Sequence, residues 1–195
     1  MFFRLVLTVL LLAGVVVESR AATLEVKSGE VRYEVEIRTL GIGGSTIVGK
    51  NTKLVGRIET KESGRITGGV IVPVVKFESN NTRRDKDVAK ILNYEEYPAI
   101  TIEVIEVSAE DIARIVGRSD GEAPVKIKIS AAGGYKTYDT VLSYKPAGEQ
   151  EVRCSLSIDA KFSDFGMKPP SFGLILKSAP DAIRLSGDIV YRIKN

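Results

Sequence analysis

The sequence predicts an all-β fold in a single domain, and three observations lead there. Apolar and polar residues alternate with a period of two in segment after segment. Turns rich in Gly, Asn, Asp and Pro separate these segments at spacings typical of sandwiches and barrels. Only one long stretch, "TRRDKDVAKILNYEEYP" from Thr82 to Pro98, is patterned as a helix. With 195 residues the chain has room for one domain whose core needs no staples.

The first residues read as a leader rather than as part of that domain. "MFFR" is a short positive start, "LVLTVLLLAGVVV" (Leu5–Val17) is too short to span a bilayer, and Ser19 and Ala21 occupy the small-residue positions of a cleavage site. Residues 1–21 are therefore expected to be a signal peptide and residues 22–195 the β domain, with a periplasmic or secreted address. No later stretch is long and apolar enough for a membrane helix, so no stable span is expected once the leader is gone.

The strands follow in order. "VRYEVEI" sets Val35 and Ile37 on one face with Val31 and Tyr33. "STIVGKNTKLVGRIET" reads as β with a bend or bulge at Gly49 and Gly56. "RITGGVIVPVVKF" places Val70, Val72 and Val74 together, and Pro73 on the other face marks an edge or a bulge. Ile102 and Val104 share a face of "AITIEVIEV", as Ile127 and Ile129 do in "VKIKIS". Tyr138 and Leu142 belong to "YKTYDTVLSY", Leu156 and Ile158 to "EVRCSLSIDAKF", and Ile189 and Tyr191 to "AIRLSGDIVYRI". Alternation points all fifteen inward, either as plain core or as the wall of a ligand cavity. Phe165, Met167, Phe172 and Leu174, close together in a loop, are candidates for a cavity mouth.

In the helical stretch, Thr82 and Asp85 are spaced as a capping box, and Val88, Ile91 and Leu92 form one narrow apolar stripe. Asn93 suits a left-handed C-terminal position, and Pro98 forbids continuation. "SAEDIARIV" (Ser108–Val116) reads either as a turn of helix or as an irregular loop.

Absences exclude several chemistries. The chain has no histidine, so Ser-His-Asp and Cys-His nucleophiles and histidine-based zinc sites are excluded. Cys154 is the single cysteine; no intramolecular disulfide can form, and its place in an apolar alternation reads as core. Losing Arg4, Glu18 and Arg20 with the leader lowers the formal charge from +3 to +2, with both signs interspersed, which gives no footing for nucleic acid. "DFG" at Asp164–Gly166 lacks the partner motifs of a kinase, "LGIGGST" leads into a strand rather than a helix, and "NNT" at Asn80 is a common chance match. Asp85, Asp87, Glu95 and Glu96 lie on or beside a charged surface helix and read as solvated or capping groups.

The order of these elements resembles the YceI-like family of exported lipid- or polyisoprenoid-binding proteins. The likeness rests on "RRDKDVAKILNYEEYPAIT", where Arg84, Asp85, Tyr97, Pro98 and Thr101 stand at the family's positions, on the early strand ending "GRIET", on "FSDFG", and on the closing "DAIRLSGDIVYRI". Phe162 stands where the family commonly has Arg. The resemblance implies a single eight-stranded antiparallel barrel of lipocalin-like shape, with one short helix (about residues 83–92) across or beside one end. It implies a non-enzymatic carrier with no cofactor, whose partner is a long-chain lipid such as a polyisoprenoid, an isoprenoid quinone or a fatty amide. Two other readings of the residues stand beside it: a β-domain filled by its own side chains that works through its surface, and a carboxylate hydrolase. Monomer and homodimer are both left open.

Overall fold

The computed structural model describes residues 21–39, 43–61, 65–170 and 177–194. The expected leader, apart from Ala21, and the mouth candidates Phe172 and Leu174 lie outside the described residues. So does the centre of the "LGIGGST" turn at 40–42, although the strands on either side of it pair as far as Thr39 and Gly43.

The first strand, β1 (Ala22–Thr39), pairs along one edge with β2 (Gly43–Asn51) and β3 (Val55–Thr60). Thr39 partners Gly43, Val31 partners Asn51 and Ala22 partners Thr60, the register of a single hairpin. β2 and β3 are thus two halves of one strand; the bend or bulge expected at Gly49 and Gly56 is instead a break at Thr52–Leu54, with both glycines in regular pairing. Asn51 stabilises it: its amide donates to the Pro73 carbonyl at 2.8 Å and its carbonyl accepts the Lys53 N–H at 2.8 Å. β4 (Ile66–Pro73), β5 (Ala99–Val107), β6 (Gly121–Ala131), β7 (Gly134–Gly148) and β8 (Glu151–Ala160) continue antiparallel, each beside its predecessor. The two-residue β9 (Lys177–Ser178) touches the end of β1, and β10 (Ile183–Lys194) pairs with both β8 and β1. The ring closes as β1–β3–β4–β5–β6–β7–β8–β10, eight strands with no free edge between first and last.

Two local departures adjust the expected alternation. Pro73 ends β4, and Val74 stands in a 3-10 turn (Val74–Lys76), still buried, its N–H donated to the Pro98 carbonyl at 2.9 Å. A bulge in β5 at Ile105 sends that side chain outward, half exposed, and returns both Val104 and Val107 to the interior.

The expected helix is present as α1 (Thr82–Ile91), but its cap is one residue earlier than the sequence suggests. Asn81 has the extended backbone a cap requires, and its side chain accepts the Arg84 N–H at 3.0 Å. Thr82 is already helical, and Asp85 accepts from the N–H (2.9 Å) and hydroxyl (2.5 Å) of Ser79 instead of closing a capping box. At the other end Asn93 adopts the left-handed conformation, with φ of 49°. A second helix, α2 (Ala109–Val116), occupies the stretch left between helix and loop, so the barrel carries two helices rather than one. Ser108 caps it by accepting the Asp111 N–H at 3.0 Å and donating its hydroxyl to the Asp111 carboxylate at 2.6 Å. Because β5 runs from the end of α1 to the start of α2, the helices sit at opposite ends of the barrel.

Candidate functional site: a two-chambered barrel interior

Both helices turn the same pattern inward. Val88, Ile91 and Leu92 of α1 and Ile112, Ile115 and Val116 of α2 each follow i, i+3, i+4 spacing, and each triplet roofs a cavity.

The first cavity, about 130 Å³, lies beneath α1. Val35 and Ile37 of β1, Ile129 of β6 and Ile158 of β8 form its wall, with Ile183 and Leu185 of β10. Phe162, Phe165 and Met167 close it from the 3-10 turn Phe162–Phe165 and the residues after it. The second, about 110 Å³, lies beneath α2. Its wall includes Val70, Val104, Leu142, Ile189 and Tyr191, together with Leu24, Ile58 and Cys154. Ile102, Ile127, Leu156 and Gly187 line both. Along β5, Ile100 and Ile102 face the first chamber and Ile102, Val104 and Val107 the second, so the two are stacked along the barrel axis and adjoin at Ile102. From Ile100 to Val107 the strand rises on the order of 20 Å.

Of the fifteen inward candidates, twelve line a chamber: Val35, Ile37, Ile129 and Ile158 the first, Val70, Val104, Leu142, Ile189 and Tyr191 the second, and Ile102, Ile127 and Leu156 both. Val72 and Val74 are buried in packed core without reaching either chamber. Tyr138 is drawn away by its hydroxyl, which donates to the Asp164 carboxylate at 2.9 Å. Of the mouth candidates, Phe165 and Met167 line the first chamber. Residues that the sequence reading did not single out include Leu24, Ile58, Ile183 and Leu185 on the wall, Phe162, Gly187 and the roof of α2. The spacing of Ile112, Ile115 and Val116 was a usable signal for the last.

The lining is almost wholly apolar, and among the described residues neither chamber has an acidic lining side chain. The carboxylates that a hydrolase would need are elsewhere. Glu103 pairs with Lys128 at 2.7 Å, Asp159 with Arg184 at 2.9 Å and Asp188 with Arg153 at 3.1 Å, all on the outer face. The polar exceptions are Arg32, Tyr33, Arg84 and Ser186 in the first chamber and Thr60 in the second. Tyr33 lines the first chamber with its ring tilted against Phe77, centroids 5.5 Å apart. Its ring covers Gly49, its partner across β1–β2, where any Cβ would stand only 2.2 Å from the ring. The Tyr33 hydroxyl is buried and makes no hydrogen bond of good geometry; burial, followed by the nearby Asp85 carboxylate, pushes its pKa up against the smaller opposing influence of Arg84 and the Ser79 hydroxyl. In the second chamber Thr60 turns its hydroxyl to the backbone of Ala22, accepting the N–H at 3.0 Å.

The model of the YceI-like domain matches residues 21–191. The chain belongs to the YceI-like family.

Solved structures of similar fold agree with that placement. A polyisoprenoid binding domain from Saccharophagus degradans, implicated in plant cell wall breakdown, superposes with a TM-score of 0.64 at 10% identity, covering 88% of this chain and 97% of that one. BcnA of Burkholderia cenocepacia gives 0.58 at 13% identity over 83% and 95% of the two chains. The Campylobacter jejuni YceI protein gives 0.57 at 16% identity over 77% and 86%. None of the curated proteins matches the chain in sequence.

Within this YceI-like barrel the motifs that carried the resemblance have visible structural work. Arg84 donates through Nε to the Ser79 hydroxyl at 2.8 Å and through Nη2 to the Ser79 carbonyl at 2.6 Å. With Asp85 gripping the same serine, the Arg-Asp pair fastens α1 to the loop before it and so fixes the roof of the first chamber. In "FSDFG", Asp164 accepts the Lys161 N–H at 3.0 Å and the Tyr138 hydroxyl, while Lys136 stands 3.4 Å away. Burial works to raise the Asp164 pKa, but these donors and the lysine charge prevail and hold it below the ordinary carboxylate range. Ser163 donates its N–H to Asp181 at 3.0 Å and its hydroxyl at 2.5 Å, tying the turn to the start of β10. These polar ties hold Phe162 and Phe165 over the cavity.

Proposed function

We propose that this YceI-like protein is an exported, non-catalytic carrier that holds one long apolar amphiphile inside its barrel. The ligand class is a polyisoprenoid, an isoprenoid quinone or a fatty amide, and the place of action is the periplasm or the exterior. The observation that carries the reading is the pair of apolar chambers stacked along one axis, each roofed by an amphipathic helix. A barrel that worked only through its surface would fill this space with side chains, since interiors otherwise pack to crystal-like density. Both volumes far exceed the roughly 10–15 Å³ that a single water requires, and an apolar lining offers water no partners.

The mechanism is partition without a covalent step. Each prenyl unit has five carbons, so its burial contributes roughly 3–4 kcal/mol gross at about 0.8 kcal/mol per carbon. Ordering a flexible chain offsets part of that. The wall supplies shape rather than hydrogen bonds, which makes length and cross-section the properties it discriminates.

The test is mass spectrometry of an organic extract from protein exported by its expression host and purified without detergent. A stoichiometric isoprenoid, quinone or fatty amide is the expected result. A clean extract, followed by no uptake when such lipids are added, refutes the reading.

A further inference from the structure

Gly187 sits in the middle of β10, paired with Leu156 of β8 on one side and Val31 of β1 on the other. Alternation along β10 turns Leu185, Gly187 and Ile189 to the interior, and Gly187 is one of the residues lining both chambers. Its backbone is not in the left-handed region, and a Cβ built on it meets nothing within 4 Å. The contrast with Gly49 is direct: there a side chain has no room, and here room is left unused. Glycine within a strand weakens it relative to residues with side chains, because it loses more conformational freedom on folding and packs nothing. A strand glycine with ordinary backbone and free space beside it forgoes stability, so the retained quantity is the space itself. That space lies where the two chambers adjoin, in the part of the interior where Ile102, Ile127 and Leu156 also line both.

We propose that Gly187 is the length-determining residue of the barrel. The bare wall at this position joins the chambers into one channel, so that an apolar chain too long for either passes beside Gly187 and occupies both. This rests on the carrier reading above and adds to it the point that sets chain length. A side chain at Gly187 divides the channel and leaves only the first chamber to a ligand entering at the α1 end.

The experiment compares the full-length exported protein with Gly187→Ala, Gly187→Val and Gly187→Leu. Each is delipidated and offered geraniol, farnesol, geranylgeraniol and solanesol, prenyl alcohols of increasing length. Uptake is read by native mass spectrometry, and thermal unfolding is followed in parallel. The expected result is a graded cut-off. The parent protein takes up the longer alcohols; Gly187→Leu takes up geraniol as the parent does but loses at least about tenfold in uptake of the longer ones, because each excluded prenyl unit gives up its burial. Gly187→Val falls between, and all three variants unfold at or above the parent temperature.

Equal uptake of long alcohols by the parent and Gly187→Leu overturns the inference and leaves the carrier reading standing. So does a parent that takes up only the alcohols Gly187→Leu also accepts, since each chamber then acts alone. Loss of fold in Gly187→Ala overturns it too, because the free space would not exist. Failure of the parent to take up any chain refutes the carrier reading itself.

Discussion

Filling the second chamber from its wall separates stability from ligand retention. Val104 faces that chamber, whose volume is about 110 Å³. Unfilled cavity volume costs about 24 cal/mol per Å³, so complete filling would be worth about 2.6 kcal/mol. Val104→Phe fills part of it and takes on some rotamer strain, since overpacking costs about 1–3 kcal/mol where no space exists. The expected net effect on delipidated protein is a gain of about 1 kcal/mol, or roughly 2–4 °C in melting temperature for a domain of this size. Retention of co-purified lipid should fall at least about tenfold, because the substituted ring occupies the place of several ligand carbons. The assay is urea unfolding of delipidated protein beside native mass spectrometry of protein as purified. Lys53→Glu is the control, an exposed loop residue whose side chain faces neither chamber. Opposite movement of the two readouts separates cavity filling from damage to the fold. A loss of more than about 1 kcal/mol would show that the space beside Val104 is not open. Higher stability with unchanged retention would show that no ligand enters this chamber.

Four other substitutions probe the elements around the site. Asn81→Ala should cost about 1 kcal/mol of stability and Thr82→Ala only a few tenths, measured by urea unfolding; the reverse order would return the cap to Thr82. Cys154 is buried and its thiol is pushed up to about 12, chiefly by burial, so at pH 8 about one ten-thousandth is thiolate and native protein should resist thiol reagents until it unfolds. Asp164 has its folded pKa depressed, so its contribution to stability is present above the unfolded value of about 3.9 and is lost as pH falls through the lower folded value. Asp164→Asn should therefore destabilise the protein at neutral pH and flatten the acid side of its stability profile, and an unchanged acid profile would count against the Lys161, Tyr138 and Lys136 contacts. Tyr33→Phe removes a buried hydroxyl that makes no hydrogen bond of good geometry and should leave stability within about 0.5 kcal/mol of the parent or above it; a loss beyond about 1 kcal/mol would reveal a hydrogen bond between that hydroxyl and Ser79.

Local patterns made the barrel's strands readable, because inward and outward residues separate with period two wherever one face is buried. Adjacent residues with equal credentials were less so. Asn81 and Thr82 are both good caps, and only the backbone, extended at Asn81 and helical at Thr82, decides between them. The second helix had a cap, an acidic first turn and an apolar triplet like that of α1, but it is eight residues long. Isolated helices so short are marginal in water, and α2 exists because the barrel end gives Ile112 and Ile115 a surface on which to be buried.

The hollow interior was hidden from sequence for a different reason. Alternation tells which way a side chain points, but a cavity is a deficit summed over every strand that points inward, and no segment contains that sum. Val72 and Val104 have the same residue type and the same inward phase; one is packed into core and the other faces open space. What separates them is the company brought by register and by the β5 bulge, which exist only once the ring is closed. Gly187 shows the same limit at a single position. In the sequence it is a glycine before an aspartate inside the strand-patterned "AIRLSGDIVYRI", with nothing to mark it. In the barrel it lies between Val31 and Leu156 where the two chambers share their lining, and the place of its missing side chain is open space.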